Sequence, residues 1–496
     1  MPTLLNKLAT YKRFTVMVVG DFMVDEHVYG AAERLSPDAP VPVLHHSHDE
    51  RRPGGAAHVS LCLRALKGAV CCYGVVGNDG AGRELREGLE GEGCDAEGLL
   101  VDASRPTTIK RSMIGLAQHR HPQKMFRVDI ERREPVSGEV CEALLERIAV
   151  RLDGVDIVCV EDYDKGMCTE ELCQGLIGLC RSRGKAVLVD PAAIADYGKY
   201  RGATAITPNR SEAELATGLD TPIDATEIHN AGLAAKLGVE LDLDAVVLTL
   251  DKHGALLEER GGAPERIGTV GRSVYDVTGA GDMVLAALAA GRANGLTWRE
   301  AVELANAAAG LEVEVFGAQA ISFATVQREV MVQTRSLEGK ARTLEELLIE
   351  AAVHREAGQT IVLTNGCFDV IHAGHVAYLR EAKTQGDVLI VGVNTDEQVR
   401  AQKGAGRPIY DLASRLEILS ELQCVDYVIA FGEPTADRLI REIRPQVYAK
   451  GGDYRPEAIN EYELVRELGI ELRILANRPG LGSSEVIERM AKAEPS

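Results

Sequence analysis

Short apolar runs rich in β-branched residues recur along this chain, and segments of helical periodicity lie between them. The runs occupy residues 15–20, 156–160, 186–189 and 245–250, and the helical segments include residues 56–66, 139–152 and 170–183. Apolar runs without polar alternation are typical of parallel strands that are buried on both faces. Their alternation with helices predicts an α/β fold built on a doubly wound sheet.

A second alternation of strands and helices follows a polar segment. Residues 333–342 are polar and charged and show no apolar periodicity, which indicates a linker. Beyond it, helices are predicted at 344–357, 375–385 and 413–422, and strands at 360–364, 388–393 and 427–430. We therefore predict a domain at 1–330, a linker at 331–343 and a smaller α/β domain at 344–496.

Two segments of the first domain do not fit the alternation. Residues 29–46 and 107–128 contain short extended stretches that polar residues interrupt. Such stretches favour strands outside the main sheet, because a strand buried on both faces is apolar throughout. We expect them to form a small β lid over one edge of a site.

The acidic composition excludes some classes of function. The 496 residues carry a net charge of -20, which disfavours a surface that binds nucleic acid. Anionic substrates must then be held by a few local basic side chains and backbone amides. The 45% apolar and 26% charged residues are ordinary for a globular protein. We expect small phosphorylated ligands.

The cysteines and the N-terminal segment indicate the cellular compartment. The eleven cysteines are spread over a long chain without a Cys-x-x-Cys pair, so buried reduced thiols are expected rather than disulfides or metal ligands. Residues 1–13 lack the apolar core of a signal peptide. No run approaches the roughly 18 apolar residues of a membrane span. We expect a cytoplasmic enzyme that does not contact the membrane.

The first candidate site is a glycine-rich turn at residues 276–282, which read Asp-Val-Thr-Gly-Ala-Gly-Asp. The apolar residues that follow predict a helix, so the amides of Gly279, Ala280 and Gly281 would point from its N-terminus toward a phosphate. Asp282 could then take the proton from an attacking hydroxyl. The alternative is that Asp282 only caps the helix.

Two further motifs accompany this turn. Gly54 and Gly55 precede a predicted helix, and Asp21 and Asp25 follow the first predicted strand, where open α/β sheets bind ligands. An Asn-x-x-Glu motif lies between these residues and the turn, and comprises Asn209, Arg210, Ser211 and Glu212. Its alternative role is a helix cap followed by a first-turn acid.

The three motifs in this order resemble those of the ribokinase-like (PfkB) carbohydrate kinases, over residues 12–325. The resemblance implies a ribokinase-like fold, Asp282 as the catalytic base and Gly279 to Gly281 as the phosphoryl site. It also implies that Asn209 and Glu212 organise Mg²⁺ and ATP, with Glu212 as the metal residue. The residues that it assigns to the sugar are Asp21, Asp25, Gly54, Gly55 and His58.

The second candidate site follows the strand predicted at 360–364. An Asn-Gly-Cys-Phe-Asp turn precedes His372 and His375, which lie at i, i+3 at the start of a helix, so both imidazoles can face one ligand. Zinc binding is the competing interpretation, but no Glu lies between the histidines and no third ligand is evident. A pair of buried structural histidines is the other alternative.

This pattern resembles the His-x-Gly-His nucleotidyltransferases, over residues 344–490, and implies a Rossmann-like domain that joins a nucleotide to a phosphorylated sugar without a covalent intermediate. The resemblance makes His372, His375 and Lys403 catalytic. Ser483 and Ser484 could instead be helix N-caps. The residues implied to bind ATP or phosphate are Asn365, Gly366, Cys367, Phe368, Arg407, Lys450, Gly451, Ser483 and Ser484.

A kinase domain followed by such a transferase domain resembles the bifunctional enzymes of ADP-heptose synthesis. The resemblance implies phosphorylation of D-glycero-β-D-manno-heptose 7-phosphate at C1, and adenylyl transfer from ATP to heptose 1-phosphate. A separate phosphatase would act in between, the product would feed the lipopolysaccharide core, and a homo-oligomer is expected. The alternatives are another sugar kinase fused to a cytidylyltransferase, and a first domain reduced to a binding or dimerisation module.

Two positions of the first domain depart from the kinase pattern. His58 stands where Asn usually follows Gly-Gly-Ala-Ala, and Ala192 stands where Lys usually follows Asp-Pro. Both lie near the proposed sugar and phosphate sites. Lys110, Arg111 and Arg127 are candidates for the substrate's own phosphate, although solvated strand charges are the more common role for such residues.

Overall fold

A computed structural model describes residues 4–116, 122–222, 225–270, 274–315, 317–334, 339–452 and 455–475. The chain forms two compact units, residues 11–326 and residues 327–496 with residues 1–10. Within the predicted linker, the last helix before residue 335 ends at Thr334, and Ala341 pairs with Val428 of the second unit. The domain boundaries at 330 and 344 stay predictions.

The first unit is built on a nine-stranded sheet in the order β13-β12-β11-β10-β9-β8-β1-β4-β5. The β11-β12 and β12-β13 pairs are antiparallel, and the other pairs are parallel. The strands are β1 (Phe14–Gly20), β4 (Gly68–Val76), β5 (Asp95–Val101), β8 (Ile157–Glu161), β9 (Ala186–Asp190), β10 (Ala205–Ile206), β11 (Ala245–Thr249), β12 (Ala255–Glu259) and β13 (Glu265–Ile267).

The helices alternate with these strands, as the sequence predicted. In chain order, those of the first unit are α2 (Ala56–Ala65), α3 (Gly80–Gly91), α4 (Gly138–Arg151), α5 (Glu170–Ser182), α6 (Arg210–Thr217), α7 (Glu227–Glu240), α8 (Ala280–Ala293) and α9 (Trp298–Glu312). Helix α1 (Leu4–Ala9) and most of α10 (Phe323–Thr334) belong to the second unit. Helix α8 is buried from Asp282 to Gly291, because it is apolar on every face. This burial anchors the helix that carries the glycine-rich turn.

A separate four-stranded sheet confirms the predicted β lid. Its strands are β2 (Phe22–Leu35), β3 (Pro42–Gly55), β6 (Thr108–Leu116) and β7 (Gln123–Ile130), in the order β3-β2-β6-β7. Strand β2 starts directly after β1, and β3 ends directly before α2. The register pairs Asp25 with Lys110 of β6 and Met23 with Gly54 of β3. The lid therefore brings its polar residues to the carboxyl end of β1.

The second unit is a smaller parallel sheet of five strands, in the order β16-β15-β14-β17-β18. Its strands are β14 (Ile361–Gly366), β15 (Val388–Asn394), β16 (Tyr427–Phe431), β17 (Val447–Gly451) and β18 (Glu471–Leu475). Its further helices are α11 (Leu344–Glu356), α12 (Ala373–Lys383), α13 (Asp396–Lys403), α14 (Leu412–Ser420), α15 (Asp437–Ile443) and α16 (Tyr462–Glu467).

Alternate residues of β14 contribute to two different cores. Ile361 and Leu363 pack in one apolar cluster and Val362 in another, on the opposite face of the sheet. Both faces of the strand are therefore buried, which is why the sequence shows an unbroken apolar run there. The predicted fold class, two α/β domains of which the first has a β lid, is confirmed.

Candidate active sites

The glycine-rich turn of the first unit ends at Gly279, the N-cap residue of α8. Gly279 has φ 90°, and a Cβ atom there would lie 2.6 Å from Oε1 of Glu312 and 2.9 Å from Nε2 of His58. Both the backbone conformation and the packing require glycine. The turn therefore opens a buried helix whose N-terminus has no side-chain cap, which is the geometry of an anion site.

Asp282 lies in the first turn of α8 and is buried. Its Oδ1 accepts a 2.9 Å hydrogen bond from the hydroxyl of Tyr163. Burial raises the pKa of Asp282 to about 6, although nearby His58 acts in the opposite direction. A carboxylate with a pKa near neutrality is suited to general base catalysis.

Two further carboxylates lie at the ends of neighbouring strands. Glu161 ends β8, Asp190 ends β9, and one oxygen of each lies within 4.8 Å of an oxygen of Asp282. Burial and mutual repulsion raise the pKa values of Glu161 and Asp190 well above their ordinary range. Oε2 of Glu161 has no hydrogen-bond partner among the described residues. Oxygen donors of this kind are those that Mg²⁺ prefers.

A cavity of about 330 Å³ lies between the lid and the turn. It is lined by Asp25, His27, Gly55, Lys110, Ser112, Lys124, Met125, Phe126, Arg127, Tyr163, Thr278, Gly279, Asp282 and Ala318. Lys110 and Arg127 were predicted as candidates, whereas Lys124 was missed. Nζ of Lys124 donates hydrogen bonds to Oδ2 of Asp276 at 3.1 Å and to Oγ1 of Thr278 at 2.9 Å. Arg111 instead pairs with the buried Glu26.

Lys110 is the most enclosed cation of this cavity. Its ammonium group lies 3.9 Å from the centre of the Tyr163 ring, and Asp25 is its register partner on β2. Burial lowers the pKa of Lys110, while the charges of Asp25 and Asp282 counteract that effect. Lys110 therefore places a positive charge between the predicted sugar carboxylate and the predicted base.

The paired glycines allow the carboxylate of Asp25 and the backbone of Asp21 to approach closely. A Cβ atom at Gly54 would lie 2.6 Å from Oδ2 of Asp25, and one at Gly55, where φ is 55°, would lie 2.7 Å from the carbonyl oxygen of Asp21. Oδ2 of Asp21 accepts hydrogen bonds from the amides of Tyr163 at 2.8 Å and Lys165 at 3.2 Å. Asp21 thus holds the segment that presents Tyr163, whereas Asp25 faces the cavity.

His58 is not among the residues that line the cavity. Its Nε2 lies 2.8 Å from Oε1 of Glu312 and 3.4 Å from Sγ of Cys62, and all three side chains are buried. Burial alone would lower the pKa of His58, but the partners Cys62, Glu312 and Asp282 raise it well above its ordinary value. The role of His58 in binding the sugar stays a prediction.

Asn209 and Glu212 form a capping box at the start of α6. The amide of Glu212 donates to Oδ1 of Asn209 at 3.0 Å, and the amide of Asn209 donates to Oε2 of Glu212 at 2.8 Å. Arg210 and Ser211 form the first turn of the helix. Burial raises the pKa of Glu212. The alternative role of this motif as a helix cap is therefore observed, and its role in binding Mg²⁺ and ATP stays a prediction.

The second site lies between β14 and α12. His372 is the N-cap residue of α12, and its Nδ1 accepts a 3.2 Å hydrogen bond from the amide of Gly374. The rings of His372 and His375 stack with their centroids 3.9 Å apart. Burial, together with the charges of His372 and Lys403, lowers the pKa of His375 to about 4. His375 is therefore a neutral imidazole near neutral pH.

The turn before these histidines is held by side-chain contacts. Phe368 has φ 47° and packs its ring edge-on against His375 at 5.4 Å. Oδ1 of Asn365 accepts a 2.6 Å bond from the hydroxyl of Tyr448. Gly366 lies close to Phe368, because a Cβ atom there would be 3.1 Å from the aromatic ring. These contacts place the predicted nucleotide-binding turn beside the histidine pair.

Two arginines bind this turn. Arg407 forms an ion pair with the buried Asp369, whose Oδ1 also accepts the amide of Ile409 at 2.5 Å. Arg415 of α14 is fully buried and donates to the carbonyl oxygens of Cys367 at 2.6 Å and Asn394 at 2.8 Å. Arg415 was missed, although an arginine in the apolar pattern of a predicted helix is the signal that could have identified it.

Among the other predicted residues that the structure describes, Lys450 and Gly451 lie at the end of β17. Lys403 ends α13 at an exposed position, and Lys450 near the end of β17 lies 3.5 Å from Oε2 of Glu461. Burial lowers the pKa of Lys450. A Cβ atom at Gly451 would lie 2.9 Å from the ring of Tyr378. Ser483 and Ser484 lie outside the described residues.

The remaining observations concern the cysteines and the helices. All eleven cysteines are free, as expected. Within the parts of the chain that the structure describes, helices are too short or too polar to span a membrane.

Tyr163 and Glu312 were missed as site residues. Tyr163 lies three residues after the end of a predicted strand, and Glu312 is an acid at a buried position among the apolar residues of its helix.

Comparison with known protein families matches both units. Residues 13–325 match the pfkB family of carbohydrate kinases, and residues 363–489 match the cytidylyltransferase-like family. The first unit is thus a pfkB family kinase domain, and the second is a nucleotidyltransferase-like domain.

Curated relatives match nearly the whole chain. The bifunctional protein HldE of Geotalea uraniireducens is 39% identical over 479 residues, covering 97% of this chain and 96% of the relative. That of Wolinella succinogenes is 40% identical over 485 residues, covering 97% of this chain and 99% of the relative. The two units therefore occur together, in this order, in the relatives.

Solved structures match the first unit in fold. A ribokinase from Arabidopsis thaliana, complexed with ribose and ATP, aligns with a TM-score of 0.51 at 20% identity, covering 64% of this chain and 99% of that one. Phosphofructokinase-2 from Escherichia coli aligns with a TM-score of 0.54 at 15% identity, covering 65% and 100%. At these identities the likeness establishes the ribokinase-like fold alone.

Proposed function

The chain belongs to the family of bifunctional HldE proteins, and we propose that its two units catalyse two steps of ADP-heptose synthesis. It is an enzyme with a sugar kinase unit followed by a nucleotidyltransferase unit. The kinase phosphorylates D-glycero-β-D-manno-heptose 7-phosphate at C1. The transferase joins heptose 1-phosphate to the adenylyl group of ATP.

In the kinase reaction, the C1 hydroxyl attacks the γ-phosphorus of ATP and ADP leaves. Asp282 takes the hydroxyl proton, and the amides of the turn from Gly279 to Gly281 stabilise the charge on the transferring phosphoryl group. Asp25 faces the cavity and binds sugar hydroxyls. Lys110, Lys124 and Arg127 supply positive charge on the same cavity for the 7-phosphate.

The residues around the base also fit a magnesium ion. Asp190 and Glu161 offer buried carboxylate oxygens, one of which has no hydrogen-bond partner among the described residues, and the charge of Glu212 acts on Asp190. Glu212 and Asp190 would hold the ion against the ATP phosphates. Bound there, Mg²⁺ supplies charge neutralisation for the phosphates.

In the second reaction, a phosphate oxygen of heptose 1-phosphate attacks the α-phosphorus of ATP. The bond to the β-phosphate breaks and pyrophosphate leaves, so no covalent enzyme intermediate forms. The neutral imidazoles of His372 and His375 donate hydrogen bonds, and Lys403 adds positive charge to the departing group. Asn365, Lys450 and the N-terminus of α12 hold the nucleotide phosphates.

The two reactions need partners. The kinase product carries two phosphates, so a separate phosphatase must remove the 7-phosphate before adenylyl transfer. We further propose that the enzyme is a cytoplasmic homo-oligomer and that its product enters the lipopolysaccharide core. The ATP and sugar phosphates that it consumes are its small-molecule partners.

One observation carries this proposal: a buried base at a glycine-rich helix start lies on a cationic cavity, while a stacked histidine pair occupies the helix start of the second unit. The test incubates the enzyme with ATP and heptose 7-phosphate, with and without the phosphatase, and identifies the products. We expect heptose bisphosphate without it and ADP-heptose with it. Absence of both products would refute the proposal.

The cytidylyltransferase alternative rests on the family model that the second unit matches. Pyrophosphate release from heptose 1-phosphate with ATP or CTP distinguishes the two. We expect turnover with ATP, and turnover with CTP alone would overturn adenylyl transfer.

The binding-module alternative is tested by ADP production from heptose 7-phosphate, with Asp282→Asn as control. Equal inactivity of both proteins, with a working second unit, would favour that alternative.

A further inference from the structure

Glu312 places a buried carboxylate directly behind the phosphoryl-binding turn. It ends α9 and is 1% exposed, and its Oε1 lies against the Cα atom of Gly279, where a Cβ atom would approach it to 2.6 Å. Its Oε2 has no hydrogen-bond partner among the described residues. An unneutralised negative charge at this position would oppose the binding of a phosphoryl group at the turn.

His58 is the group positioned to neutralise this charge. Its Nε2 lies 2.8 Å from Oε1 of Glu312 and would lie 2.9 Å from a Cβ atom at Gly279, so the pair sits beneath the turn. The groups that act on the imidazole are Cys62 from its own helix, Glu312 from α9 and Asp282 from α8. Together they favour the imidazolium form, although burial opposes it.

A metal ion shared by His58, Cys62 and Glu312 is the competing arrangement, because ligand atoms of all three lie within 4.8 Å of one another. Nε2 and Oε1 are 2.8 Å apart, which is the length of a direct charge-assisted hydrogen bond. Two ligands on one zinc ion, each about 2.0 Å from the metal, normally stand farther apart than this. The geometry therefore favours the ion pair.

We propose that His58 and Glu312 form a buried ion pair that supports the Gly279 turn, and that His58 is a positioning residue for phosphoryl transfer. The inference rests on the kinase activity proposed above. It also accounts for His58 at a position where the resembled kinases usually have Asn. A neutral Asn could not balance Glu312, so the two residues must act as a unit.

The test compares His58→Asn, Glu312→Gln and the double variant with the wild-type chain. Each preparation is assayed for kinase kcat and for the KM of ATP and heptose 7-phosphate. Adenylyl transfer to heptose 1-phosphate, which uses the second unit, is the matched control for an intact preparation. Thermal unfolding and zinc content are measured on the same samples.

We expect His58→Asn to lower kinase kcat by roughly 100-fold, the scale of losing one electrostatic partner of a transition state. Glu312→Gln should cost less than about 10-fold, because a buried histidine can become neutral. The double variant should recover to within about 10-fold of the wild type, since no buried charge is left unpaired. Adenylyl transfer should stay unchanged in all three.

Several results would overturn the inference. One is a fully active His58→Asn variant. Another is a double variant in which the losses of the two single variants simply multiply. A third is one bound zinc per wild-type chain. If His58→Asn does not fold, the double variant still decides, because the ion-pair inference requires it to fold and to phosphorylate. A wild-type chain without kinase activity refutes the proposed function instead. In that case, a higher unfolding temperature for the double variant than for His58→Asn would still support the ion pair.

Discussion

At the scale of single residues, the two sites tune acid and base groups in opposite directions. Burial raises the pKa of Asp282 to about 6, whereas burial and neighbouring positive charge lower that of His375 to about 4. Both groups are thereby in the form that their role needs near neutral pH. In the proposed mechanism, Asp282 accepts a proton as an ionised carboxylate, and His375 donates a hydrogen bond as a neutral imidazole.

The Asp282→Asn variant should lose kinase activity selectively. The amide keeps the shape of the side chain but cannot take the proton, and a positioned base contributes about 10²- to 10⁴-fold. We expect kinase kcat to fall by that factor, as measured by ADP release from heptose 7-phosphate. Adenylyl transfer by the same preparation is the control, and a kinase loss below about 10-fold would contradict the assignment.

Kinase activity should fall on the acid side at an unusually high pH. The raised pKa means that Asp282 binds a proton as pH drops through about 6, and the protonated carboxyl cannot act as a base. The kinase kcat/KM profile should therefore bend near pH 6 rather than near pH 4. A profile that stays flat down to pH 5 would exclude Asp282 as the titrating base.

At the scale of secondary structure elements, each site depends on how one helix begins or is held. Helix α8 begins at a glycine that no other residue can replace without strain, and the turn before α12 is fastened by Arg415 of α14. Both arrangements bring backbone groups to a ligand, so a substitution in either one should disable the site that it supports.

Substitution of Gly279 by Ala should disable the kinase. The added Cβ atom would meet Glu312 and His58 within 3 Å, in addition to the strain of φ 90°. Gly295→Ala is the matched control, because Gly295 has φ 74° but no atom within 4 Å of a Cβ. We expect at least roughly 100-fold lower kinase kcat for Gly279→Ala alone. Equal losses of kinase kcat in both variants would show that backbone strain alone explains the effect, without the contacts to Glu312 and His58.

Substitution of Arg415 by Ala should destabilise the second unit. It would leave the carbonyl oxygens of Cys367 and Asn394 and the carboxylate of Asp396 without their donor. Removing one partner of such a buried pair lowers the free energy of unfolding by about 3 to 5 kcal/mol. Denaturant unfolding and adenylyl transfer should both report the loss, while the kinase keeps its activity.

The exposed Arg438 provides the control for this substitution. It pairs with Glu433 and Glu442 on the surface of the same unit, and its side chain is 58% exposed. Arg438→Ala should leave the midpoint of denaturant unfolding nearly unchanged, because exposed ion pairs contribute little to stability. Comparable losses in the two variants would contradict the role given to Arg415.

At the scale of the whole molecule, the two reactions use separate units with their own cores. The kinase site is built from residues of the first unit and the transferase site from residues of the second. A chain that is inactive in one site should therefore remain active in the other. This organisation joins two steps of one pathway without requiring direct transfer of intermediates.

Two singly inactivated chains should complement each other in a mixture. Asp282→Asn lacks kinase activity, and a chain with His372→Asn and His375→Asn lacks adenylyl transfer. Mixed with ATP, heptose 7-phosphate and the phosphatase, the two proteins should form ADP-heptose, because the intermediates diffuse between chains. Product formation by wild type but not by the mixture would show that both sites must lie on one chain.

Much of the fold and of both sites follows from local sequence patterns. Unbroken apolar runs identify the buried strands, and the glycines of the Gly279 turn and the spacing of His372 and His375 identify two helix starts that suit phosphate. These signals are local, because strand burial, positive φ and helix geometry each depend on a few neighbouring residues. The β lid was also predicted from its interrupted polar pattern.

Only the tertiary structure decided which distant side chains meet at these sites. His58 and Glu312 are 254 positions apart, Tyr163 and Asp282 are 119 apart, and Arg415 and Cys367 are 48 apart. Their contacts depend on the order of strands and on helix packing, which periodicity along the chain does not encode. A residue that resembled a sugar ligand in sequence, His58, therefore lies behind the phosphoryl turn as the partner of a buried carboxylate.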